Sequence, residues 1–302
     1  MCGISGIINL NHHVITEDSI KKMMRQIKHR GPDDEGTFID KNIGLGFVRL
    51  SILDLSPAGH QPMHSEDDEL VIVFNGEIFN YIELREELKQ EGYVFKTQTD
   101  TEVLLNAYKA WGQKCLHKLN GMWAFVIFDK KNNTVFASRD RYGIKPFYYT
   151  IENNKLLFAS EIPAILAVSE KKALANHQAI FDFLVFNRTD QSEETFFENI
   201  FKLKHGHCIQ IDLNKKSDQI TIHKWYDLRS NLKEAVRSKE EYLKLFTDAV
   251  ELRMRSDVPV GVCLSGGLDS SSILSVLLTD KKNKDINTFS AIYKKGDKGD
   301  ES

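Results

Sequence analysis

The 302 residues carry 43 acidic and 40 basic side chains, for a formal net charge of −3, with 41% hydrophobic and 10% aromatic content. That composition excludes a disordered tail, a collagen-like fibre and a coiled coil, and the near-neutral balance argues against a nucleic-acid binder working through bulk charge. At roughly 100–200 residues per domain, the length suggests two domains, each able to bury a core.

The first 160 or so residues read as short segments separated by turn chemistry. Apolar runs at Gly44–Leu53, Leu70–Phe74, Trp123–Phe128 and Leu156–Ala159 are strand-like. Between them, Asp18–His29, Tyr81–Gln90 and Glu102–Trp111 place apolar residues at helical spacing, for instance Ile20, Met23, Met24 and Ile27. The mixture predicts an α+β domain of stacked sheets with flanking helices. The pattern weakens from Ala175 to Leu213, and the polar patch Asp212–Ile222 predicts a boundary: a domain over 1–210, a linker over 211–235 and a second domain from 236.

Beyond the boundary, Ser238–Arg255 reads as an amphipathic helix opened by a capping box, Ser238 to Glu241. Val258–Leu264 is a nearly continuous apolar run, as expected of a parallel strand covered on both faces. It breaks at Ser265-Gly266-Gly267-Leu268-Asp269-Ser270-Ser271 and resumes as the apolar part of a helix, Ile273–Leu278. A strand feeding a glycine-rich loop into a helix N-terminus gathers backbone N–H groups and the positive end of the helix dipole at one point, which suits phosphate. The Walker spacing and its lysine are absent. For a lone Ser-Gly-Gly fragment a tight turn in an ordinary α/β unit is the plain alternative, but here strand, loop, aspartate and helix all fit the phosphate site. The next strand is expected over Ile286–Tyr293.

At the other end, Cys2 follows Met1. A residue this small permits removal of the initiator, which leaves a thiol and a free α-amine on one residue. With a pKa of about 8 the amine can accept the thiol proton, so one residue serves as nucleophile and base. A cysteine at position two is by itself usually incidental. Cys115, Cys208 and Cys263 lie far from it and from each other with no C-x-x-C pair, so neither a zinc knuckle nor a disulfide framework is visible. No stretch approaches the roughly 20 apolar residues of a membrane span. A reducing, cytoplasmic setting is expected, with no nucleic-acid or membrane partner.

Cys2-Gly3-Ile4-Ser5-Gly6, His29-Arg30-Gly31-Pro32-Asp33, Arg49-Leu50-Ser51-Ile52-Leu53-Asp54, Asn75-Gly76-Glu77-Ile78-Phe79-Asn80-Tyr81, Thr99-Asp100-Thr101-Glu102 and Arg139-Asp140-Arg141-Tyr142-Gly143 follow one another in order. Together they resemble the class II glutamine amidotransferase domain of the N-terminal-nucleophile hydrolases. The Ser265–Ser271 loop resembles the pyrophosphate loop of ATP pyrophosphatases, and the whole order resembles the glutamine-hydrolysing asparagine synthetases. The resemblance implies Cys2 as nucleophile, with the Asn75 side-chain amide and the Gly76 N–H as oxyanion donors. It implies Arg49 on the glutamine carboxylate, Glu77 and Asp100 on its ammonium, and backbone from Leu50, Ser51, Ile52 and Leu53 around the same pocket. Taken singly each has a plain alternative; Asn75-Gly76, for one, is also a hairpin-turn signal. His29 is read as structural, ordering the loop over the pocket.

In the second domain the resemblance implies Leu264 and Ala291 near adenine. Ser265, Gly266, Gly267, Asp269 and Ser270 would surround the phosphates of ATP, and Asp269 would help hold Mg²⁺. It implies an N-terminal-nucleophile α+β domain over 1–210 followed by the beginning of an α/β parallel-sheet ATP-pyrophosphatase domain over 236–302. The chain stops at Asp300-Glu301-Ser302, where relatives are expected to continue, so glutaminase chemistry is expected to survive better than synthesis. Glutamine, ATP and an acceptor carboxylate, first of all aspartate, are the expected small-molecule partners, and the resemblance leaves room for a homodimer. Another acceptor, such as a sugar carboxylate or peptide acid, and a non-catalytic glutamine-sensing protein remain the alternatives.

Overall fold

The computed structural model describes residues 1–215, 219–232, 238–279 and 286–292. They divide into two compact units, Met1–Asn231 and a second from Leu232 onward.

The first unit is built from two six-stranded antiparallel sheets. One contains β1 (Gly3–Asn9), β2 (Asp34–Asp40), β3 (Ile43–Arg49), β8 (Tyr148–Glu152), β9 (Lys155–Ala159) and β10 (Phe201–Lys202), in the order β10-β8-β9-β1-β3-β2. The other contains β4 (Met63–His64), β5 (Leu70–Ile78), β6 (Gly121–Asp129), β7 (Thr134–Arg139), β11 (His207–Asp212) and β12 (Ile220–Lys224), in the order β12-β11-β7-β6-β5-β4. Side chains alternate between faces along each strand. Ile4, Ile8 and Phe47 therefore meet Val71, Val73 and Val126 between the sheets, in a core of fully or almost fully buried residues.

The alternate residues face outward onto helices. Ile7 and Val48 pack on α1 (Glu17–Gln26) and α5 (Ile162–Leu166) through Ile20, Met23, Ala164 and Ile165. Ile72, Phe74 and Phe125 pack on α2 (Tyr81–Gln90), α3 (Asp100–Trp111) and α4 (Cys115–Lys118) through Leu84, Leu88, Val103 and Leu116. The result is a helix–sheet–sheet–helix stack. Because both faces of each sheet are covered, central strands read as continuous apolar runs although every pairing is antiparallel. One further helix, α6 (His177–Phe186), begins at an Asn176 side-chain cap and carries no buried residue.

Two expectations are corrected here. The strand expected to run to Leu53 ends at Arg49, because the Arg49 guanidinium turns back onto the carbonyls of Leu53, Asp54 and Ser56 and bends the chain around itself. The segment expected as a linker over 211–235 is sheet in its first part. β12 pairs with β11 from Ile220↔Ile211 to Lys224↔His207, and Trp225 stacks on Trp123 at 5.6 Å. At the polar end of this pair the described residues close the pairing, the Asp212 N–H donating to the Gln219 carbonyl at 3.0 Å.

In the second unit, α7 (Lys239–Leu252) starts at Ser238, whose hydroxyl accepts the Glu241 N–H at 3.1 Å. The expected strands are short: β13 (Gly261–Cys263) pairs in parallel with β14 (Asn287–Phe289), and Tyr293 lies outside the described residues. α8 (Leu268–Thr279) follows the glycine-rich loop. The double-sided burial expected of Val258–Leu264 is absent: Gly261 and Cys263 are exposed, and Leu277 is the one buried hydrophobic residue among those described in this unit. Among the described residues, two short strands and two helices do not cover both faces of the parallel pair.

Candidate active site

At one end of the layer between the sheets lies a cavity of about 130 Å³ lined by residues from both sheets. β1 brings Cys2, β3 brings Arg49, the bend after it brings Leu50, Ile52 and Leu53, β5 brings Asn75, Gly76 and Glu77, and the start of α3 brings Asp100. Met1, Gln61, Thr101 and Lys145 complete much of the wall. Ser51 does not line it; its N–H donates to Asp33 Oδ2 at 2.7 Å.

The Cys2 sulfur is held by one residue in two ways. It donates to the Leu50 carbonyl and accepts the Leu50 N–H, each at 3.4 Å. Burial pushes its thiol pKa up, against that backbone contact and the nearby N-terminal charge. The Cys2 carbonyl accepts Arg30 Nε at 2.9 Å, and Arg30 in turn pairs with Glu161 at 2.8 Å. His29 shares the same carboxylate oxygen at 3.0 Å, so it braces this corner and lines no part of the cavity.

Asn75 and Gly76 are not a turn. They lie inside β5, opposite Ala124 and Trp123 of β6. Both backbone groups of Trp123 go to Asp140: its N–H to Oδ2 at 3.2 Å, its carbonyl to the Asp140 N–H at 2.9 Å. Gly76 is thus the non-hydrogen-bonded partner of Trp123, and its N–H turns away from β6. Three alternate donors share that open edge. The Phe74 N–H is taken by Gln61 Oε1 at 2.7 Å and the Ile78 N–H by Asp100 Oδ2 at 2.9 Å. Between them, the Gly76 N–H takes no side-chain acceptor among the described residues. Beside it the Asn75 amide nitrogen is buried without a hydrogen-bond partner. Buried donors are almost always satisfied, so the unpartnered Asn75 amide beside the outward Gly76 N–H marks a place suited to an acceptor that is not protein.

Charge is arranged around this point. Arg49 is 6% exposed and fixed by backbone carbonyls, Nη1 to Ser56 at 2.9 Å and Nη2 to Leu53 at 3.4 Å. Gly59 packs against it so closely that a Cβ there would stand 1.9 Å from Nη2. Across the cavity, burial raises the Glu77 carboxyl pKa. Asp100 is raised to about 7, mainly by burial and further by Glu77, with the Ile78 N–H opposing. A cation on one wall and two acids on another suit an amino acid's carboxylate and ammonium.

In the second unit Gly266 adopts φ +83°, open to glycine and strained for other residues. The Ser265 and Ser270 hydroxyls meet at 3.1 Å and tie the loop to the start of α8: the Gly267 N–H donates to Ser265 Oγ at 3.4 Å, and Ser270 Oγ to the Gly267 carbonyl at 3.2 Å. Leu264 donates to Phe289 at 2.8 Å, and Ala291 lies exposed two residues beyond. Asp269 is exposed in the first turn of α8. Among the described residues no cluster of three or more metal-ligand side chains occurs. One carboxylate with hydroxyls nearby fits an ion such as Mg²⁺ that takes its other ligands from phosphate and water.

Lys145 and Gln61 were not evident from the sequence. Lys145 follows Arg139-Asp140-Arg141-Tyr142-Gly143 by two positions, which is the one signal that pointed toward it.

Stacked antiparallel sheets between helix layers, with the chain's start at the end of a central strand, define the N-terminal-nucleophile amidotransferase class of fold. A glutamine phosphoribosylpyrophosphate amidotransferase from B. subtilis shares it with a TM-score of 0.55 at 16% identity, over 96% of this chain and 65% of that one. The chain belongs to the glutamine amidotransferase domain family, whose pattern residues 1–226 match, and residues 241–302 match the asparagine synthase family. A Methanocaldococcus jannaschii protein named "Putative asparagine synthetase [glutamine-hydrolyzing] 2" is 46% identical over 96% of this chain and 59% of its own length. The Bacillus subtilis "Asparagine synthetase [glutamine-hydrolyzing] 1" is 40% identical over 91% of this chain and 44% of its own length. The chain thus spans about half the length of the curated relatives it matches. No described helix is long and apolar enough to cross a membrane.

Proposed function

We propose that the chain hydrolyses glutamine at Cys2 and supplies the ammonia to amidate an adenylated carboxylate, first of all aspartate, giving asparagine. The observation that carries the glutaminase half is the unpartnered Asn75 Nδ2, beside the Gly76 N–H that turns away from β6, on the wall of the cavity that also holds the Cys2 thiol. Once Met1 is removed, the Cys2 α-amine takes the thiol proton and sulfur bonds to the glutamine amide carbon. The carbonyl oxygen becomes an oxyanion received by the two donors. The amine returns the proton to nitrogen, the C–N bond breaks, and ammonia leaves behind a γ-glutamyl thioester. Water, deprotonated by the same amine, then frees glutamate. Arg49 holds the α-carboxylate, and Glu77 with Asp100 the α-ammonium.

In the second unit, Ser265, Gly266, Gly267 and Ser270 would hold phosphate groups of ATP, Leu264 and Ala291 would flank adenine, and Asp269 would hold Mg²⁺. Bound there, ATP and Mg²⁺ would supply activation of the acceptor carboxylate as an adenylate. The aspartate reading is supported by the names of the relatives, and the cysteine thiol disfavours a purely glutamine-sensing role. The test is glutamate release by the processed chain together with labelling of Cys2 by an electrophilic glutamine analogue. Turnover that persists in Cys2→Ala, or a processed chain that neither releases glutamate nor takes the label, would refute the glutaminase reading.

A further inference from the structure

Lys145 is 6% exposed and lines the same cavity as Cys2. Its backbone is clamped. The N–H donates to Asp140 Oδ2 at 3.0 Å and the carbonyl accepts Arg139 Nε at 2.7 Å, while Asp140 Oδ1 takes the Tyr142 and Ile144 N–H groups, each at 3.0 Å. The loop from Arg139 to Lys145 is therefore built to present one side chain. That side chain ends at Met1, Nζ to Sδ at 3.3 Å, and a thioether is a weak acceptor. Among the described residues no carboxylate comes within ion-pair distance of it. The other buried lysine behaves differently: Lys202, 9% exposed, meets Asp190 Oδ1 at 2.8 Å.

Burying an ammonium without an ion-pair partner is costly, and the cost buys something only if an anion appears nearby. The charges facing Lys145 are Glu77 from β5, Asp140 from its own loop, and Arg30 and Cys2 from the corner where the chain begins. The Cys2 thiol in turn faces the N-terminus, Asp100 and Lys145. Burial raises the carboxyl pKa of both Glu77 and Asp100, and after burial Glu77 is the charge that acts most on Lys145, followed by Cys2. The anion the chemistry creates here is the thiolate.

We propose that Lys145 is a positioning residue for the nucleophile, whose buried ammonium serves as the counter-charge of the Cys2 thiolate. The inference rests on the glutaminase reading for its purpose and on the cavity for its geometry. The lowered pKa that burial gives Lys145 agrees with an ammonium lacking a close partner. With Met1 removed, the thioether that now receives Nζ is gone, and the ammonium is left to the thiol and the new α-amine.

The test uses the processed chain, with Lys145→Met, which keeps the apolar stem and removes the charge, and Lys145→Arg, which keeps the charge. Alkylation of Cys2 by iodoacetamide is followed against pH by peptide mass, which separates it from the exposed Cys263. The expected result is an alkylation midpoint about one pH unit higher in Lys145→Met, near the wild-type value in Lys145→Arg. Glutaminase kcat should fall about tenfold in the Met variant with KM little changed. Removal of an unpaired buried charge should leave Tm no lower than wild type. A midpoint shared by Lys145→Met and wild type overturns the proposal, as does an Arg variant that behaves like Met. If Lys145→Met and Lys145→Gln both fail to fold, the lysine is a structural tie and the proposal is likewise overturned. A lysine-dependent midpoint in a chain that releases no glutamate would refute the glutaminase reading alone; glutamate release with a lysine-independent midpoint would refute this inference alone.

Discussion

Replacing Gly59 with alanine should loosen glutamine binding by displacing Arg49, the side chain it packs against. A Cβ at position 59 would stand 1.9 Å from Arg49 Nη2 and 2.5 Å from Cζ. Ordinary contact needs about 3.4 Å, so the guanidinium must retreat by about 1.5 Å. It is the far end of a flexible side chain and can do so. That movement breaks the hold on the Ser56 carbonyl at 2.9 Å and takes the planar fork away from the position proposed for the α-carboxylate. A hydrogen bond to a charged group is worth about 1.5–3 kcal/mol, so KM for glutamine should rise about 10- to 100-fold. Because the thiol and its oxyanion donors stay in place, kcat should change by less than about threefold. The assay is steady-state glutamate release, run beside ammonia release from 4-aminobutanamide, which is glutamine without its α-carboxylate. The variant and wild type should handle that analogue alike. An unchanged KM for glutamine in a folded Gly59→Ala chain, or an equal loss on the analogue, would refute the placement of the carboxylate at Arg49.

Other outcomes are expected on the same grounds. Asn75→Ala should lower kcat about 10²–10³-fold while leaving thermal stability nearly unchanged, since the lost amide N–H has no partner in the free chain; a stability loss matching the activity loss would point to a structural amide. Asp100, raised to about 7, keeps a proton in the native chain that the unfolded chain gives up at 3.8. Its contribution to stability is therefore fully present below about pH 4 and is lost as pH rises through 7. The same shift means that glutamine, bringing an ammonium, should release up to one proton on binding near pH 6. Calorimetry of a Cys2→Ala chain in two buffers checks this, and a release that survives Asp100→Asn would contradict it. Asp269→Ala should abolish ATP binding and spare glutamate release; loss of both together would show that the two sites are not separable.

Much of the candidate site was legible because chemistry forces residue types into short runs. Arg49 with Leu50, Ile52 and Leu53, and Asn75 to Glu77, keep cavity residues close in the chain, the first through the bend after β3 and the second along β5. Lys145 was harder to see. Its reason for being there is tertiary: Arg139 and Asp140 clamp its backbone, and nothing about a lone lysine in a loop reports that. The sheets were legible as strands and as a stack with flanking helices, but their pairing was not. Helices on both outer faces erase the polar alternation that usually marks an antiparallel sheet, so β5 and β6 look as apolar as parallel strands. The end of the first unit was misplaced because Asp212–Ile222 is polar like a linker; only pairing across Ile209↔Ile222 and Ile211↔Ile220 shows it to be a hairpin. In the second unit the loop at Ser265–Ser271 was plain, whereas the extent of its strand was not, because burial there depends on partners absent from a two-stranded sheet.

Cys2 belongs to one layer of the sandwich and Asn75 to the other, so the distance between them is set by the thickness of what lies between. Val73, Phe47 and Ile4 act as spacers in a caliper whose jaws are Cys2 and Asn75. On the proposed mechanism, a methylene added or removed among those spacers would alter turnover through reach alone, from positions that never see the substrate.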